Sequence, residues 1–374
     1  MGSLAALPPG HLAKGPCRAN AHSATLSDLT GHSMSLLGRS VGRAPQPVRS
    51  GMTFSRAAGF PYGGGLTAQK LVILAFCHDD PLFLRLSGSS SILDEATSEM
   101  RVERSSLMEK AAWLRRECFE MVVRSRKGHF PSSSSCADIL VTLMYGGWMR
   151  CTAANPRAPE RDRLFISKGH AGMALYPILE DMGFVAKGEL LKFTKADGVF
   201  KFYPDQSIPG IEAITGSLAH GIGIATGHCL AGRQDGRDFR CYVIVSDGEC
   251  YEGSTWEAAL FASHQRLNRL VVFVDRNGCC ILDHTEKCVA LDPLAEKWRA
   301  FGWNVIEIDA HDVGQIDEAL QAAEACTDKP TAIVALSIKG KGVSFMENRP
   351  EWHNKMPNEE QVAIARRELD VTTA

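Results

Sequence analysis

Two apolar runs without polar alternation stand near the middle of the chain, at residues 242–245 and 270–274. Unalternated runs rich in β-branched residues are typical of strands that are buried on both faces of a parallel sheet. The segment between them predicts a helix, with capping-box spacing at Ser254 and Glu257 and an apolar stripe that includes Leu260. A crossover of this length lets the two strands lie parallel, so their carboxyl ends share one edge of the sheet.

A polar side chain follows each of these two strands. Asp247 precedes Gly248, and Asn277 precedes Gly278. Ligands of open α/β sheets bind outside the carboxyl ends of the strands, and Asp and Asn oxygens suit Mg²⁺, so the two residues indicate a metal site. Asp-Gly and Asn-Gly are also strong turn dipeptides, and the same residues fit ordinary strand-ending turns. On the pattern alone, both interpretations stay open.

The pattern on either side of this unit predicts further strands and helices. Strands are predicted at 163–167, 303–308 and 331–337, and helices at 99–123, 137–145, 171–182 and 316–325. The predicted fold class is α/β, a parallel sheet flanked by helices. The strand, turn and helix within 163–182 also suit a phosphate, because turn amides and the positive end of a helix face the anion.

Composition narrows the classes of function. A chain of 374 residues is long enough for one large or two ordinary domains. A formal net charge of −2 argues against a general nucleic-acid or membrane-surface binder, so neither partner is expected. The 12 cysteines are scattered without a CxxC pair, which favours a reduced, cytoplasmic compartment over a secreted disulfide scaffold. One cluster can be weighed as a zinc site, although adjacent cysteines after a buried strand are more often packing residues: Cys279, Cys280, His284 and Cys288.

The N-terminal part of the chain differs in character from the rest. Residues 1–65 are rich in Ala, Gly, Ser and Pro and are basic, with Asp28 as the single acid. This composition fits a transit-type peptide, a disordered tail or translated upstream sequence, and we favour a tail without catalytic role. We therefore predict a largely disordered extension at 1–97 and a folded domain at 98–374. The apolar run at 71–76 is too short to span a bilayer, and no transmembrane segment is predicted.

Six motifs follow one another in the order found in the transketolases. They are GHFPSSSS from Gly128, RDRLFISKGHA from Arg161, PGIEAITGSLAHG from Pro209, SDGECYEGSTWEAA from Ser246, VDRNG from Val274 and SIKGKGVSFMENRPEWH from Ser337. The chain resembles the cofactor-diphosphate domain of that family from about Glu99 to its end. The resemblance is greatest to the split form, in which this domain is a separate subunit.

The resemblance implies the thiamine diphosphate-binding fold, with thiamine diphosphate and Mg²⁺ as cofactors. It implies that Asp247, Asn277 and the backbone carbonyl of Cys279 are ligands of Mg²⁺. Gly248 corresponds to a glycine that lets the chain approach the diphosphate. His170 corresponds to a histidine that contacts this diphosphate.

Further roles at the site follow from the same resemblance. Gly216 and Leu218 correspond to backbone contacts to the cofactor. His129 and His353 correspond to histidines that line the donor-sugar channel near the reactive carbon. Glu252 corresponds to a buried glutamate in a network at the subunit interface. Taken singly, each histidine of the site also fits a helix cap, a turn or a surface position.

Three positions depart from the family pattern. Ser246 replaces a glycine at the end of a strand, where an L-residue in β geometry fits. Tyr203 replaces a histidine, and Ala219-His220 replaces Gly-Gln. These two changes bear on the donor sugar and on proton transfer rather than on the cofactor. Four other histidines match no motif: His78, His228, His264 and His311.

The activity implied is the transfer of a two-carbon ketol unit between sugars or sugar phosphates. In the family, a glutamate on a second domain hydrogen-bonds the aminopyrimidine ring of the cofactor. Because the resemblance covers only the first domain, we expect a partner subunit that carries the pyrimidine-binding domain, in a dimer or a heterotetramer. One alternative is the α subunit of a thiamine-dependent 2-oxo acid dehydrogenase, against which the SKGHA and KGKG…WH motifs argue. Another is a non-catalytic binding module of the same fold.

Overall fold

The computed structural model describes residues 103–371. Its centre is a five-stranded sheet in the order β1-β2-β3-β5-β4, and all neighbouring strands are parallel. The strands are β1 (Arg163–Ile166), β2 (Cys241–Ser246), β3 (Leu270–Arg276), β4 (Asn304–Asp309) and β5 (Thr331–Leu336). The predicted parallel α/β sheet is confirmed. The predicted extension at 1–97 lies outside the described residues.

Helices cover both faces of this sheet. The α-helices are α1 (Arg104–Ser125), α2 (Phe130–Ser134), α3 (Ala137–Tyr145), α4 (Leu175–Asp181), α5 (His220–Gln234), α6 (Gly253–His264), α7 (Thr285–Cys288), α8 (Leu294–Ala300), α9 (Val313–Ala325) and α10 (Glu359–Val371). Short 3₁₀ helices lie at Gly169–Ala174, Glu189–Lys192, Asp247–Tyr251 and Pro350–Trp352. Across residues 103–371, none of the helices has the length and apolar character that crossing a membrane requires.

The two faces of the sheet belong to two separate cores. Alternate side chains of β2, Tyr242 and Ile244, pack with helices α1, α3, α4, α9 and α10. The intervening Val243 and Val245 pack with α5, α6 and α8 on the other face. Successive side chains of a strand point to opposite faces, so a strand covered on both sides must be apolar at every position. This is the physical reason for the unalternated runs in the sequence.

The central unit has the arrangement that the sequence predicts at the sheet edge. Strands β2 and β3 pair in parallel, with Ser246 opposite Asp275, so Asp247 and Asn277 leave the sheet at the same end. The backbone of Ser246 is extended, with φ −89° and ψ 160°, as expected for an L-residue there.

The capping box predicted from Ser254 and Glu257 is wrong. Helix α6 begins at Gly253, and its N-cap residue Glu252 makes no side-chain capping hydrogen bond. The chain turns into a 3₁₀ helix directly after β2, and there Ser246 and Glu249 form the capping box. The serine and glutamate of the capping box are therefore found at the short 3₁₀ helix that precedes α6.

The apolar stripe predicted for α6 is wrong at Leu260, whose side chain is 60% exposed. The buried residues of α6 are the small ones, Thr255, Ala259 and Ala262. Small side chains let α6 approach its neighbours closely, so Leu260 and the adjacent Phe261 point outward. An apolar surface therefore remains on the outside of α6.

The helix predicted at 171–182 is divided in two. Residues Gly169–Ala174 form a 3₁₀ helix, and α4 continues from Leu175 to Asp181. The tighter first part follows β1 directly, at the edge of the sheet where Asp247 also lies.

Ala219, directly before α5, has a left-handed backbone with φ +64°. Its N–H donates a hydrogen bond to the buried carboxylate of Glu249, at 2.7 Å, which holds the residue in this conformation. The left-handed region costs an L-residue about 1–2 kcal/mol, whereas it costs glycine almost nothing. The family pattern has glycine at this position, so Ala219 carries strain that a glycine would avoid.

We expect Ala219→Gly to raise the free energy of unfolding by about 0.5–1 kcal/mol, because the relief of strain exceeds the added entropy of the unfolded chain. Urea unfolding measures the change. Ala231→Gly is the matched control, because Ala231 lies exposed inside α5 and glycine there should cost about 1 kcal/mol. Destabilisation by both substitutions would contradict the strain at Ala219.

Candidate functional site

Three oxygen donors predicted as metal ligands lie together at the carboxyl edge of the sheet. One carboxylate oxygen of Asp247 accepts a hydrogen bond from the N–H of Gly278 at 2.7 Å, which joins the loops after β2 and β3. The side-chain oxygen of Asn277 accepts from the N–H of Cys279 at 3.2 Å. Carboxylate, amide and carbonyl oxygens are the hard ligands that Mg²⁺ prefers. The chemistry of this donor set therefore fits the metal.

The carboxylate of Asp247 is fully buried. Burial, with the neighbouring Asp275 as a second cause, raises its pKa to about 6. The Arg276 guanidinium lies 3.3 Å away and acts in the opposite direction. A bound cation would stabilise the ionised form of this buried carboxylate, because its positive charge offsets the free-energy cost of burying a negative charge.

A buried ion pair that the sequence reasoning missed lies behind these donors. The Lys168 ammonium contacts the carboxylate of Asp275, and neither side chain is exposed to solvent. Burial is the largest single influence and would raise the pKa of Asp275, but Lys168, together with the hydroxyls of Ser337 and Ser135, lowers the net pKa. Both residues stand inside quoted motifs, SKGHA and VDRNG, which is the signal that could have found them.

Lys339 is a second cation that the sequence reasoning missed at the site. Its side chain is 2% exposed, and its ammonium donates a hydrogen bond to the Cys279 carbonyl at 3.2 Å. Burial lowers its pKa. Lys339 opens the KGKG motif and lies beside a predicted metal ligand, where a positive charge suits a diphosphate.

Three predicted histidines form one cluster. The ring centroids of His129, His170 and His353 lie 5.1 to 5.4 Å from one another. Burial and the Lys339 ammonium lower the pKa of His129 to about 4 and that of His353 to about 3. Burial, followed by Lys168, lowers the pKa of His170 well below its usual value. All three rings are therefore neutral at pH 7 and can donate one hydrogen bond and accept another.

Two buried polar atoms near this cluster have no partner within the described protein. They are the Ser132 hydroxyl and the Nδ1 atom of His353. Buried polar groups are nearly always hydrogen-bonded, because an unpaired one costs about 1–3 kcal/mol. A ligand rich in acceptor oxygens would satisfy the hydroxyl. These atoms are the second observation that fits thiamine diphosphate.

The loop after β1 and the loop before α5 meet closely. A Cβ at Gly169 would lie 2.1 Å from the carbonyl oxygen of Thr215, so only glycine permits the contact. The Thr215 hydroxyl donates to the Ile166 carbonyl at 2.6 Å. The predicted backbone contacts at Gly216 and Leu218 follow Thr215 directly, Gly216 exposed and Leu218 half-buried.

The Glu249 side chain connects the loop after β1 with the loop before α5. One carboxylate oxygen accepts from the Ser167 hydroxyl at 2.6 Å and from the Ala219 N–H at 2.7 Å. The other accepts from the Ser246 N–H at 2.7 Å. Burial raises the pKa of Glu249. Sequence reasoning missed this residue because it assigned the capping box to the following helix.

The space beside Gly248 is open. A Cβ added there would meet no atom closer than the Cβ of Cys280 at 3.7 Å. The protein itself therefore does not require glycine at this position. A ligand that lies close to the backbone at Gly248 would leave no room for a side chain and would therefore require glycine.

Two other predicted positions, Tyr203 and His220, are exposed to solvent. Tyr203 is 40% exposed and packs edge-to-face on Phe202, which in turn contacts the ring of His129. His220 is exposed at the start of α5. In the single chain Glu252 lies on the surface at the N-terminus of α6. Its role at a subunit interface stays a prediction.

The four residues considered as a zinc site, Cys279, Cys280, His284 and Cys288, do not surround a common point. The Cys279 thiol contacts the His284 ring at 3.6 Å, while the Cys280 and Cys288 sulfurs contact each other at 3.3 Å. Among the residues between 103 and 371, no group of three or more His, Cys, Asp or Glu side chains is arranged to hold a metal ion. The oxygen site at Asp247 differs in kind, since it relies on an amide and a backbone carbonyl.

Comparison with known proteins points to one family. Residues 108–373 match the family described as transketolase, thiamine diphosphate binding domain. An apulose-4-phosphate transketolase subunit of Phocaeicola vulgatus is 34% identical over 255 residues, covering 68% of this chain and 90% of that protein. The 6-deoxy-6-sulfo-D-fructose transketolase subunit SqwG of Clostridium sp. (strain MSTE9) is 37% identical over 272 residues, covering 72% of this chain and 98% of that protein.

Solved structures agree with this family. The transketolase from Campylobacter jejuni superposes with a TM-score of 0.66 at 27% identity, over 71% of this chain and 43% of that one. The chain thus spans less than half the length of this solved transketolase, but most of the length of the two curated subunits.

We expect Lys168→Met to destabilise the fold by about 3–5 kcal/mol, because it leaves the Asp275 carboxylate buried without its cation. Urea unfolding measures the loss. The double variant Lys168→Met/Asp275→Asn is the control, because it removes both charges and should cost less than the single variant. A double variant that is less stable than the single one would show that the ion pair is not the cause.

Proposed function

We propose that this chain, which belongs to the transketolase family through its thiamine diphosphate binding domain, is the cofactor-binding subunit of a transketolase built from two kinds of subunit. The complete enzyme transfers a two-carbon ketol unit between sugars or sugar phosphates. The observation that carries the proposal is the gathering of three hard oxygen donors beside the Lys339 ammonium, at the sheet edge of a chain that the family matches.

The cofactor would be held at this edge by two sets of groups. Asp247, Asn277 and the Cys279 carbonyl would bind Mg²⁺, and the Gly248 backbone would face the diphosphate. Lys339 would contribute positive charge. His170, the Ser132 hydroxyl and the backbone at Gly216 and Leu218 would complete the contacts. Two features support this assignment: the buried hydroxyl without a protein partner and the open space at Gly248.

Bound thiamine diphosphate supplies the electron sink that breaking a carbon–carbon bond next to a ketose carbonyl requires. The chain's own contribution is orientation and hydrogen bonding. His129 and His353 are neutral at pH 7, so each ring can accept a hydrogen bond from a sugar hydroxyl or donate one to it. His129 is buried and His353 is half-buried. Both are proposed to line the donor channel.

A partner subunit belongs to this proposal. The two curated relatives are named as subunits, and the matched region covers nearly all of each. The surface of α5 and α6 exposes Ile224, Leu260 and Phe261, which suits contact with another chain. We propose that the partner supplies the pyrimidine-binding domain, in a dimer or in a heterotetramer with two copies of each subunit. Glu252, exposed beside this surface, would enter the interface.

A cytoplasmic location is part of the proposal. The ten cysteines in the described part of the chain are free thiols, as expected in a reducing compartment. The 2-oxo acid dehydrogenase interpretation is not favoured, because the relatives are named as transketolase subunits.

The sugar itself is the least constrained element of the function. The relatives' names specify apulose 4-phosphate and a sulfo-sugar as the substrates of those proteins. For this chain we propose a ketose or ketose phosphate donor, with Tyr203 at the rim of the channel as the specificity determinant. Its ring contact with Phe202, which contacts His129, supports this assignment.

We expect Asp247→Ala to abolish metal-dependent binding of thiamine diphosphate, because it removes the only carboxylate proposed to bind the metal. Calorimetric titration of Mg²⁺ and thiamine diphosphate, with and without the partner subunit, measures the loss. Asp235→Ala, at an exposed position after α5, is the control and should bind as the parent does. Retained affinity in Asp247→Ala would remove the metal assignment, and a parent that binds no cofactor in either condition would refute the proposed function.

We expect Tyr203→His to change the preference among ketose donors, because the imidazole offers a nitrogen donor and a nitrogen acceptor on a smaller ring, in place of a single hydroxyl at the end of the phenol. The ratio of kcat/KM values for a panel of ketoses and ketose phosphates, assayed with the reconstituted complex, measures the shift. Tyr203→Phe is the matched control for loss of the hydroxyl alone. If the ratios of Tyr203→His equal those of the parent, Tyr203 does not determine specificity.

A further inference from the structure

His311 matches no motif with an assigned role, yet both of its ring nitrogens are engaged. It follows β4 in the loop that leads to α9, and its side chain is 13% exposed. The Nδ1 atom lies 2.8 Å from a carboxylate oxygen of Asp138 on α3. The Nε2 atom lies 3.0 Å from the backbone nitrogen of Ile338, two residues after β5. The ring therefore bridges two parts of the chain that are distant in sequence.

The partners of His311 determine its tautomer. A backbone N–H can only donate, so Nε2 must be the unprotonated acceptor. Arg115 donates two hydrogen bonds to Asp138, which keeps that group a carboxylate. The Nδ1–H therefore donates to Asp138, and the ring is held in one orientation.

The segment that His311 grips leads directly to Lys339. Strand β5 ends at Leu336, and residues 337–340 have no regular secondary structure. Each of these four residues is instead tied to a different neighbour: Ser337 to Asp275, Ile338 to His311, Lys339 to Cys279 and Gly340 to Pro131. Among these hydrogen bonds, the one to His311 holds Ile338, the residue directly before Lys339.

We propose that His311 is a positioning residue of the cofactor site, which holds the Ile338 peptide so that the Lys339 ammonium stays beside the Cys279 carbonyl. The proposal rests on the proposed function, since it assigns a purpose to the position of Lys339. His311 contacts none of the groups assigned to the cofactor, and it acts through the backbone. Groups that support the direct ligands of a metal site change affinity about 10–100-fold when they are removed.

A different role for His311 would be to brace the buried Arg115–Asp138 pair. Two substitutions separate the roles, because amide side chains reproduce one ring nitrogen each. The terminal atoms of asparagine reach the position of Nδ1, so His311→Asn can still donate to Asp138 but cannot reach Ile338. Those of glutamine reach the position of Nε2, so His311→Gln can still accept from Ile338. His311→Ala removes both bonds.

Hydrogen exchange of the cofactor-free protein, followed on the peptide covering 337–342, tests the grip itself. We expect His311→Asn and His311→Ala to exchange about tenfold faster than the parent in this peptide, and His311→Gln to stay near the parent. Urea unfolding of all variants identifies one that fails to fold. If the alanine variant fails, the asparagine and glutamine variants still decide. Protection that is retained in His311→Asn and lost in His311→Gln would overturn the proposal and favour the bracing role. Equal protection of this peptide in all three variants would also overturn the proposal.

Calorimetric affinity for Mg²⁺ with thiamine diphosphate tests the consequence for the site. We expect about tenfold weaker binding in His311→Asn and His311→Ala, with affinity restored in His311→Gln. Unchanged affinity in the asparagine variant, despite its faster exchange, would overturn the positioning role. A parent that binds no cofactor either with or without the partner subunit would refute the proposed function instead, and the exchange experiment would still decide whether His311 holds the segment.

Discussion

The rest of the site depends on the buried contact between Lys168 and Asp275. Neither charge reaches solvent, so each must find its compensation inside the protein. The carboxylate of Asp275 also accepts from Ser135 at 2.8 Å, from Asn277 at 3.0 Å and from Ser337. One carboxylate thereby ties together the segments that follow β1, β3 and β5 and the C-terminal end of α2. The cost of leaving either charge unpaired keeps these segments in a single arrangement.

On this support, the protein assembles groups of opposite electrostatic character. The carboxylate of Asp247 is buried where a cation would stabilise it, and Lys339 is buried where an anion would stabilise it. Between them and the rim, three histidines are kept neutral by burial. A charged, metal-bound diphosphate would satisfy both kinds of group at once, and the neutral rings can donate and accept hydrogen bonds. The same low-dielectric environment therefore explains the shifted pKa values of Asp247 and Lys339 and the neutrality of the three histidines.

Sequence periodicity predicted the sheet well because the constraint is local. A strand covered on both faces must be apolar throughout, so β2 and β3 are visible in any window of the sequence, and the polar residues that end them fall at the shared edge. The same reasoning failed for α6, where the stripe containing Leu260 points outward. Which face of a helix is buried depends on what packs against it, and here small residues serve that purpose. The capping box was displaced for a related reason, since spacing alone does not say which of two successive helices it caps.

By itself, the sequence determined the parallel α/β class, the edge at which Asp247 and Asn277 meet, and the family through the order of its motifs. Only the tertiary structure decided which residues support that edge. Four of them are charged residues that sequence patterns assign to solvent: Lys168, Glu249, Asp275 and Lys339. A fifth, His311, matches no motif. Their roles arise from burial and from distant partners, since 30 residues separate Ala219 from Glu249 and 107 separate Lys168 from Asp275. Local patterns carry no signal for such contacts, because the free energy of a buried charge depends on neighbours that only folding brings together.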